Sequence, residues 1–306
     1  MAERAIDLTT TQPQAAVQRP RSAIPWLKWL GYAVLIFGAL MAAVPFLWMV
    51  SASLMSVSEI NAGRLLPTEP RFSNYVEAWE RANFAQFMWN SARITLITLA
   101  GLLVVSIPAA YAFARMRFWG RNALFGIMLA TLMIPEVATF IPNYLTVIWL
   151  GRFGQSVCGD FCAWVNNWPS LTVPFMASAF SIFLLRQFFA QIPDDLWDAA
   201  RIDGAGHVRF LTAVVIPLSK APIMTVVTFS FIGSWNALLW PLLVTQSDEW
   251  RPVAVGLTKF VTSDAPGDFN LHMAASVMMV LPILALYFFT QKHFQVGYGI
   301  GSVQSK

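Results

Sequence analysis

The sequence predicts an all-α membrane protein with six transmembrane helices, and three observations lead to this fold class. The 306 residues are 57% hydrophobic and only 12% charged, whereas a soluble domain usually has about 25% charged residues. Six long windows contain almost no charge, and the basic residues are distributed unevenly among the segments between them. Because lipid cannot satisfy backbone hydrogen-bonding groups, spans of this length are expected to be helices.

The windows without Asp, Glu, Lys or Arg give the position of each span in order. A transmembrane helix needs roughly 20 mainly apolar residues, and Glu136 is the only charge within the third window. The first window is longer than the roughly 7–15 apolar residues of a signal peptide, and a polar tail precedes it. We therefore expect a disordered cytoplasmic tail at 1–25, a transmembrane domain at 26–306, and spans at about 30–52, 91–114, 122–146, 166–186, 221–245 and 272–291.

The orientation of the spans follows from the basic residues. If the N-terminus is cytoplasmic, 13 of the 20 Lys and Arg residues fall on the cytoplasmic side and 7 on the other side. This bias agrees with the positive-inside rule. Both termini are then predicted to be cytoplasmic.

Several kinds of chemistry have no signature in the sequence. There is no G-x-x-x-x-G-K-[ST] run that would hold ATP, and neither H-E-x-x-H nor G-x-S-x-G occurs. His207, His272 and His293 are far apart along the chain, so no metal site is expected. A net charge of only +4 gives no footprint for nucleic acid. The sequence therefore favours a transport role in membrane lipid over an enzyme with its own cofactor.

A polar stretch, D-A-A-R-I-D-G-A-G-H-V-R-F, interrupts this apolar chain at residues 198–210. It belongs to the longest loop on the predicted cytoplasmic side, about 190–217. Asp194 or Asp195 after Pro193 can cap a helix over about 195–203, and Gly204 can close that helix in a left-handed conformation. On spacing alone, a solvated loop helix and a docking helix are both open.

One face of this predicted helix is small and polar. Leu196, Ala199, Ala200 and Asp203 share it at i, i+3, i+4 spacing, with Trp197 beside them. Two alanines on an exposed face allow another surface to approach closely. The pattern is suited to contact with a partner.

The stretch D-A-A-R-I-D-G-A, followed by Phe210, Ile216 and Pro217, resembles the E-A-A-x-x-x-G-x(9)-I-x-L-P loop of ABC-importer permeases. Asp198 replaces the usual Glu, and the Leu between Ile and Pro is missing. In that family the loop forms a coupling helix that docks in a cleft of the ATP-hydrolysing subunit. The resemblance therefore implies a coupling role for five residues: Asp198, Ala199, Ala200, Asp203 and Gly204.

The resemblance extends over about residues 30–300 and is to permeases of the carbohydrate type. It rests on the runs Asn74-Tyr75, Asn90-Ser91, Met133-Ile134-Pro135, Phe183-Leu184-Leu185-Arg186 and Trp235-Asn236 with Leu239-Trp240-Pro241. The nearest type is the shorter permease of the maltose transporter. This implies a type I ABC importer permease fold in a prokaryotic inner membrane. The implied partners are a second, unlike permease, a dimeric ATPase that binds ATP and Mg, and an extracytoplasmic solute-binding protein.

Four residues within the spans are candidates for the substrate path. Polar residues inside a membrane tend to face the bundle interior or a cavity, which selects Asn236 and Glu136. Trp235 and Trp240 can stack on a sugar ring. Glu136 could instead be a structural partner, and the tryptophans could belong to an interfacial belt or to bundle packing.

The sequence thus predicts a permease for a di- or oligosaccharide. Two alternatives stay open: a permease of the same class for glycerol phosphate or another solute, and a stand-alone carrier or channel. Cys158 and Cys162, in the loop predicted to face outward, are spaced to close a small disulfide turn if they lie on one helical turn. Two free buried thiols and an interface helix are the alternatives.

Overall fold

The computed structural model describes residues 25–81, 83–159, 163–262 and 268–296. Every regular element in this part of the chain is helical, in agreement with the all-α prediction. The α-helices are α1 (Pro25–Ser53), α2 (Val57–Asn61), α3 (Ser73–Arg81), α4 (Phe84–Arg115), α5 (Arg121–Thr131), α6 (Glu136–Cys158), α7 (Trp168–Thr172), α8 (Ala179–Phe189), α9 (Asp194–Ile202), α10 (His207–Phe210), α11 (Ile216–Leu218), α12 (Lys220–Trp235), α13 (Leu239–Val244), α14 (Val253–Thr262) and α15 (Phe269–Val296).

The chain divides into two structural units, residues 1–48 and 49–306. In the first unit, the described residues are those of α1 up to Trp48. The stretch Lys28–Ser53 has a mean hydropathy of 2.3, which suits a membrane-spanning helix. The predicted tail at 1–25 lies almost entirely outside the described residues.

Three of the spans are single helices and three are bent pairs. Lys28–Ser53, Phe84–Arg115 and Phe269–Gln291 are each long and apolar enough to cross a membrane. The other three form only if two helices are joined across a break: Arg121–Thr131 with Glu136–Val157 at 103°, Trp168–Phe175 with Ala179–Phe189 at 40°, and His207–Leu218 with Lys220–Trp235 at 80°. Five of the six predicted spans overlap these candidates closely, but the predicted span 221–245 overlaps only the second helix of the last pair, and the first helix of that pair lies in the predicted loop at about 190–217.

Prolines account for the sharpest break. The predicted span 122–146 is not one helix, because α5 ends at Thr131 and α6 starts at Glu136. Pro135 lacks an N–H group and disfavours helical geometry at Ile134 before it. The predicted span 221–245 is likewise divided, since α12 ends at Trp235 and α13 begins at Leu239.

Within the second unit, α4 is the central element. It packs against α8, α12 and α14, and α15 packs against α12 and α3. Two glycines permit the closest approaches. A Cβ on Gly101 would lie 2.4 Å from the Met176 side chain, and a Cβ on Gly256 would lie 2.6 Å from the Phe87 ring. A larger residue at Gly256 would press on the Phe87 ring, and one at Gly101 would require the flexible Met176 side chain to move.

The polar loop folds as a short helix with a well-formed end. α9 covers Asp194–Ile202, close to the predicted 195–203, and Gly204 has φ +74°, as expected. The Gly204 N–H donates to the Arg201 carbonyl at 3.0 Å and the Ala205 N–H to the Ala200 carbonyl at 2.8 Å, which is the Schellman arrangement. The predicted cap is wrong: Pro193 occupies that position, and no side chain caps the helix.

Candidate functional site

A cavity of about 630 Å³ lies in the second unit among α4, α6, α12, α13 and the turn before α8. This volume is within the usual range for small-molecule sites, about 300–1,000 Å³. The break before α6 and the break after α12 both open onto it. Its lining includes Ile94, Thr98, Leu102, Glu136, Val137, Phe140, Leu171, Pro174, Phe175, Ser178, Ser230, Ser234, Asn236, Leu239, Trp240 and Pro252.

Three of the four path candidates lie at this cavity. Glu136 is the first residue of α6, and Asn236 directly follows α12, where its Nδ2 donates to the Ile232 carbonyl at 3.0 Å. Trp240 is only 4% exposed, and its indole N–H donates to the Ser170 carbonyl at 2.9 Å. The ring of Trp240 is therefore fixed at the cavity wall, so that only part of it is presented to a solute.

Trp235 is elsewhere. It is 3% exposed, its indole N–H donates to the Met279 carbonyl at 3.0 Å, and its ring stacks on Phe231 with centroids 5.4 Å apart. It belongs to the apolar cluster around α3, α14 and α15 and does not line the cavity. Trp235 is therefore a packing residue of the bundle and does not contact the cavity.

The sequence reasoning missed the hydroxyl groups of the cavity. Thr98, Ser178, Ser230 and Ser234 all line it. The Thr98 hydroxyl is buried and has no hydrogen-bond partner among the described residues, and such a group gains free energy when a partner reaches it. The sequence does indicate these residues, because hydroxyl side chains inside a span, like Asn and Glu, tend to face the bundle interior or a cavity.

The aromatic wall of the cavity also went unpredicted. The rings of Phe140 and Phe175 meet Trp240 edge-to-face, at centroid distances of 6.0 and 5.8 Å. In the sequence these phenylalanines are indistinguishable from the many others that face lipid or the core. Only the fold gathers them around one space.

The five predicted coupling residues lie on or directly after α9, and they divide between two faces. Ala200 is half-buried and, with Trp197, packs against the core of its own chain. Ala199, Asp198 and Asp203 are exposed. Leu196 is 40% and Ile202 87% exposed on the side away from the core. The surface available to a partner is therefore the exposed side of α9 that carries Ala199. Ala200 lies on the opposite side, where it packs the helix against its own chain.

Side chains from two neighbouring segments hold α9 at its start and at its far side. Arg115, at the end of α4, pairs with Asp194 and donates to the Ile192 carbonyl. His207 accepts or donates a hydrogen bond at 2.8 Å with the Tyr111 hydroxyl, and its ring stacks on Trp197 with centroids 4.6 Å apart. The loop is thus connected to α4 at both of its ends.

The predicted cysteine pair cannot be placed. Cys158 is the last residue of α6, but its side chain and all of Cys162 lie outside the described residues. The disulfide stays a prediction. Within the described ranges there is no group of three His, Cys, Asp or Glu residues that could hold a metal ion.

Comparison with known proteins identifies the family. Residues 103–295 match the family described as "Binding-protein-dependent transport system inner membrane component". The chain belongs to this family. It is 32% identical over 290 residues to the sn-glycerol-3-phosphate transport system permease protein UgpE of Brucella abortus (strain 2308), covering 92% of this chain and 97% of the relative.

Two further similarities extend this result. The diacetylchitobiose uptake system permease protein NgcG of Streptomyces coelicolor is 32% identical over 263 residues, covering 84% of this chain and 83% of the relative. A solved bacterial ABC transporter involved in the import of the acidic polysaccharide alginate matches with a TM-score of 0.77 and 26% identity, over 88% of this chain and 97% of that chain. The type I ABC importer permease fold is confirmed.

The family also decides between two classes of function. An inner-membrane component of a binding-protein-dependent transport system is a subunit of an ABC importer. The stand-alone carrier or channel is therefore the wrong alternative. The chain is a transport subunit of the inner membrane.

Proposed function

We propose that this chain is one of two unlike permeases that form the path for an uncharged di- or oligosaccharide. The observation that carries the proposal is the chemistry of the cavity. Hydroxyls, the Asn236 amide and the rings of Phe140, Phe175 and Trp240 surround it. Such a mixture of polar groups and aromatic faces suits a sugar, which has hydroxyls at its rim and C–H groups on its ring faces.

Charge argues for an uncharged solute. Among the described residues that line the cavity, Glu136 is the only charged side chain, and there is no Lys or Arg. Phosphate and carboxylate groups are bound in proteins mainly by Arg, Lys and backbone N–H groups. Glycerol phosphate is the second candidate, because the UgpE relatives carry that name.

The proposed mechanism couples the cavity to ATP hydrolysis in a separate chain. A solute-binding protein docks on the outside, and an ATPase dimer, which holds ATP and Mg, contacts the exposed face of α9. Movement of α9 with the ATPase shifts the equilibrium between inward-open and outward-open states through contacts that differ between them. The bias of basic residues supports cytoplasmic termini and a cytoplasmic α9.

Substitutions of Ala199 test the coupling role. Ala199→Trp places a bulky ring on the exposed face of α9, so we expect loss of sugar uptake and of sugar-stimulated ATP hydrolysis, with normal membrane levels of the protein. Ala199→Ser, which keeps the size, is the matched control and should transport normally. Ala200→Trp is less informative, because Ala200 packs against its own chain. Normal uptake by Ala199→Trp at normal expression would contradict the proposal.

Competition between solutes tests the substrate class. In the reconstituted transporter, unlabelled neutral disaccharides should compete for uptake and sn-glycerol 3-phosphate should not. Asn236→Leu should reduce uptake about fivefold, because a net hydrogen bond contributes roughly 1 kcal/mol. Asn61→Leu, at an exposed position outside the cavity, should leave uptake unchanged. Strong competition by glycerol phosphate alone would favour the second candidate.

A further inference from the structure

Three arginines surround a small cleft at the loop end of the bundle. The cleft has a volume of about 240 Å³ and is lined by Tyr111, Ala114, Arg115, Arg117, Arg121, Asp194, Trp197, His207 and Phe210. Its volume equals that of about eight waters at roughly 30 Å³ each. A second space of about 390 Å³, lined by residues 117–118 and 120–123, shares Arg117 and Arg121 with it. We call these joined spaces the arginine cleft.

The arginine cleft has an excess of positive charge. Asp194 is the only acidic residue among its lining, and it pairs with Arg115. Neither Arg117 nor Arg121 has an ion-pair partner among the described residues. Arg121 binds only neutral groups: the Met116 carbonyl at 3.1 Å and the Asn122 side-chain oxygen at 3.4 Å. Two arginines thus line the same space without an ion-pair partner in the described part of the chain.

An unsatisfied donor in the same place gives a second indication. The Nε of Arg115 is buried and has no hydrogen-bond partner in the described structure. A buried charged donor without a partner carries a substantial desolvation cost. Because Arg115 lines the cleft, an anion bound there would stabilise the charge of its incompletely satisfied guanidinium group.

The cleft also lies where a membrane surface is expected. It follows the end of the apolar helix α4, and the segment between α4 and α5 exposes Phe118 (42%) and Trp119 (98%). Aromatic side chains next to basic ones are typical of the membrane–water interface. Basic pockets between transmembrane helices on the cytoplasmic side bind lipid headgroups.

We infer that the arginine cleft binds a phosphate group, carried by an anionic phospholipid or present as a free anion. Guanidinium groups match the oxygens of phosphate with paired, charge-assisted hydrogen bonds. The lipid source rests on the cytoplasmic placement of α9 in the proposed function. The binding chemistry itself does not depend on transport.

A ligand in the cleft would also contact the side chains that hold α9 in place. Arg115 binds the start of α9. The ring of His207 stacks on Trp197, which lies in the middle of α9. All three side chains line the cleft. A bound phosphate would therefore hold α9 against α4 and slow backbone exchange over residues 194–210. This gives lipid composition a physical means to change coupling.

The test compares the wild-type complex with the double variant Arg117→Gln/Arg121→Gln. The complex is placed in nanodiscs of phosphatidylcholine with or without one quarter phosphatidylglycerol, and retained lipid is measured by native mass spectrometry. A parallel arm adds inorganic phosphate to the detergent-solubilised complex and follows hydrogen exchange over residues 194–210. The matched control, Arg209→Gln/Lys220→Gln, removes two exposed charges that do not line the cleft.

Each basic group near an anionic lipid strengthens binding about fivefold, so the cleft variant should bind phosphatidylglycerol roughly 30-fold more weakly, and the control should not. Protection by inorganic phosphate without phosphatidylglycerol would identify a free anion as the ligand. Equal retention of phosphatidylglycerol and equal exchange in wild type and cleft variant would overturn the proposal. These readouts need no sugar or ATP, so a failed substrate or coupling test would leave them unaffected.

Discussion

The two ends of the second unit are held by different kinds of interaction. Asn90 and Arg115 mark these ends on α4, and their 25-residue separation corresponds to about 37 Å at roughly 1.5 Å per residue. Near Asn90, buried amide side chains bind the backbone of the connecting segments. Near Arg115, α9 is held by an ion pair and stacked rings, and none of its residues is buried.

The asparagine end shows how a loop can be fixed. Asn90 is fully buried, and its Nδ2 donates to the carbonyls of Glu249 at 2.9 Å and Arg251 at 3.0 Å. Asn74 donates to the carbonyls of Ser53 and Met55, both at 2.9 Å. Because a buried polar group is costly without partners, these amides strongly favour one position of the segments they bind.

The arginine end lacks such anchors. Ring stacking contributes about 0.5–1.5 kcal/mol, and the pair between Arg115 and Asp194 is 84% exposed on the aspartate side, so solvent screens it. A segment with little buried surface opens at low free energy. The comparison indicates a firmly held asparagine end and an α9 that can shift against α4 as a unit.

Removing the Asn90 amide should have the largest effect. Asn90→Ala leaves several carbonyls without their donor, at about 1–3 kcal/mol for each unsatisfied group, so we expect a loss of about 3 kcal/mol or more in the free energy of unfolding. Thermal unfolding in detergent measures it. Asn90→Asp, which keeps the shape but cannot donate, should be equally damaging. A stable Asn90→Asp variant would show that the hydrogen bonds donated by the Asn90 amide do not hold the connecting segment in place.

Gly204→Val should have an intermediate effect, confined to the arginine end. Its φ of +74° would cost a β-branched residue about 1–3 kcal/mol. We expect uptake to fall roughly tenfold or more while the rest of the fold survives. Gly206→Val is the matched control, because Gly206 has φ −83°, which valine adopts readily. Equal uptake by the two variants would remove the argument from backbone strain.

The smallest effect concerns pH at the asparagine end. The hydrogen bond from Lys259, with the charges of Lys259 and Arg251, holds the pKa of Asp248 below its ordinary value of 3.8. A lowered folded-state pKa gives stability that is present above the ordinary value and is lost as pH falls through the lowered one. This contribution, about 1 kcal/mol or less for an exposed group, should therefore be constant from pH 7 to 5.

Asp248→Asn provides the measurement. The difference in unfolding free energy between wild type and this variant should stay level from pH 7 to 5 and shrink only below about pH 4. A difference that disappears near pH 6 would mean that another group controls this end of the molecule.

Three of the predicted spans, at about 30–52, 91–114 and 272–291, coincide with helices long and apolar enough to cross a membrane, because a helix in lipid must be almost free of charged residues. The bends could not be read with the same ease. Pro135 signals one of them, and Pro217 and Lys220 flank the break at Ser219. The break between Trp235 and Leu239 contains no proline and no charged residue, so the sequence does not mark it.

The candidate site was predictable only in part, for a related reason. Asn236 and Glu136 are rare groups in apolar surroundings, so the cost of burying them points to the cavity. Trp235 and Trp240 are equivalent by that criterion, yet one packs against Met279 and the other forms the cavity wall. The arginine cleft joins residues far apart along the chain, such as Tyr111 and His207, which are 96 positions apart, and no local pattern connects them.

The 103° bend between α5 and α6 has an electrical consequence. It brings the start of a 23-residue helix to the cavity, with Glu136 as its first residue. The free N–H groups at a helix start carry a partial charge of about +0.5, which favours a neighbouring carboxylate. The helix start therefore offsets about half of the carboxylate charge. The bend thus lowers the negative potential that Glu136 would otherwise impose on the cavity.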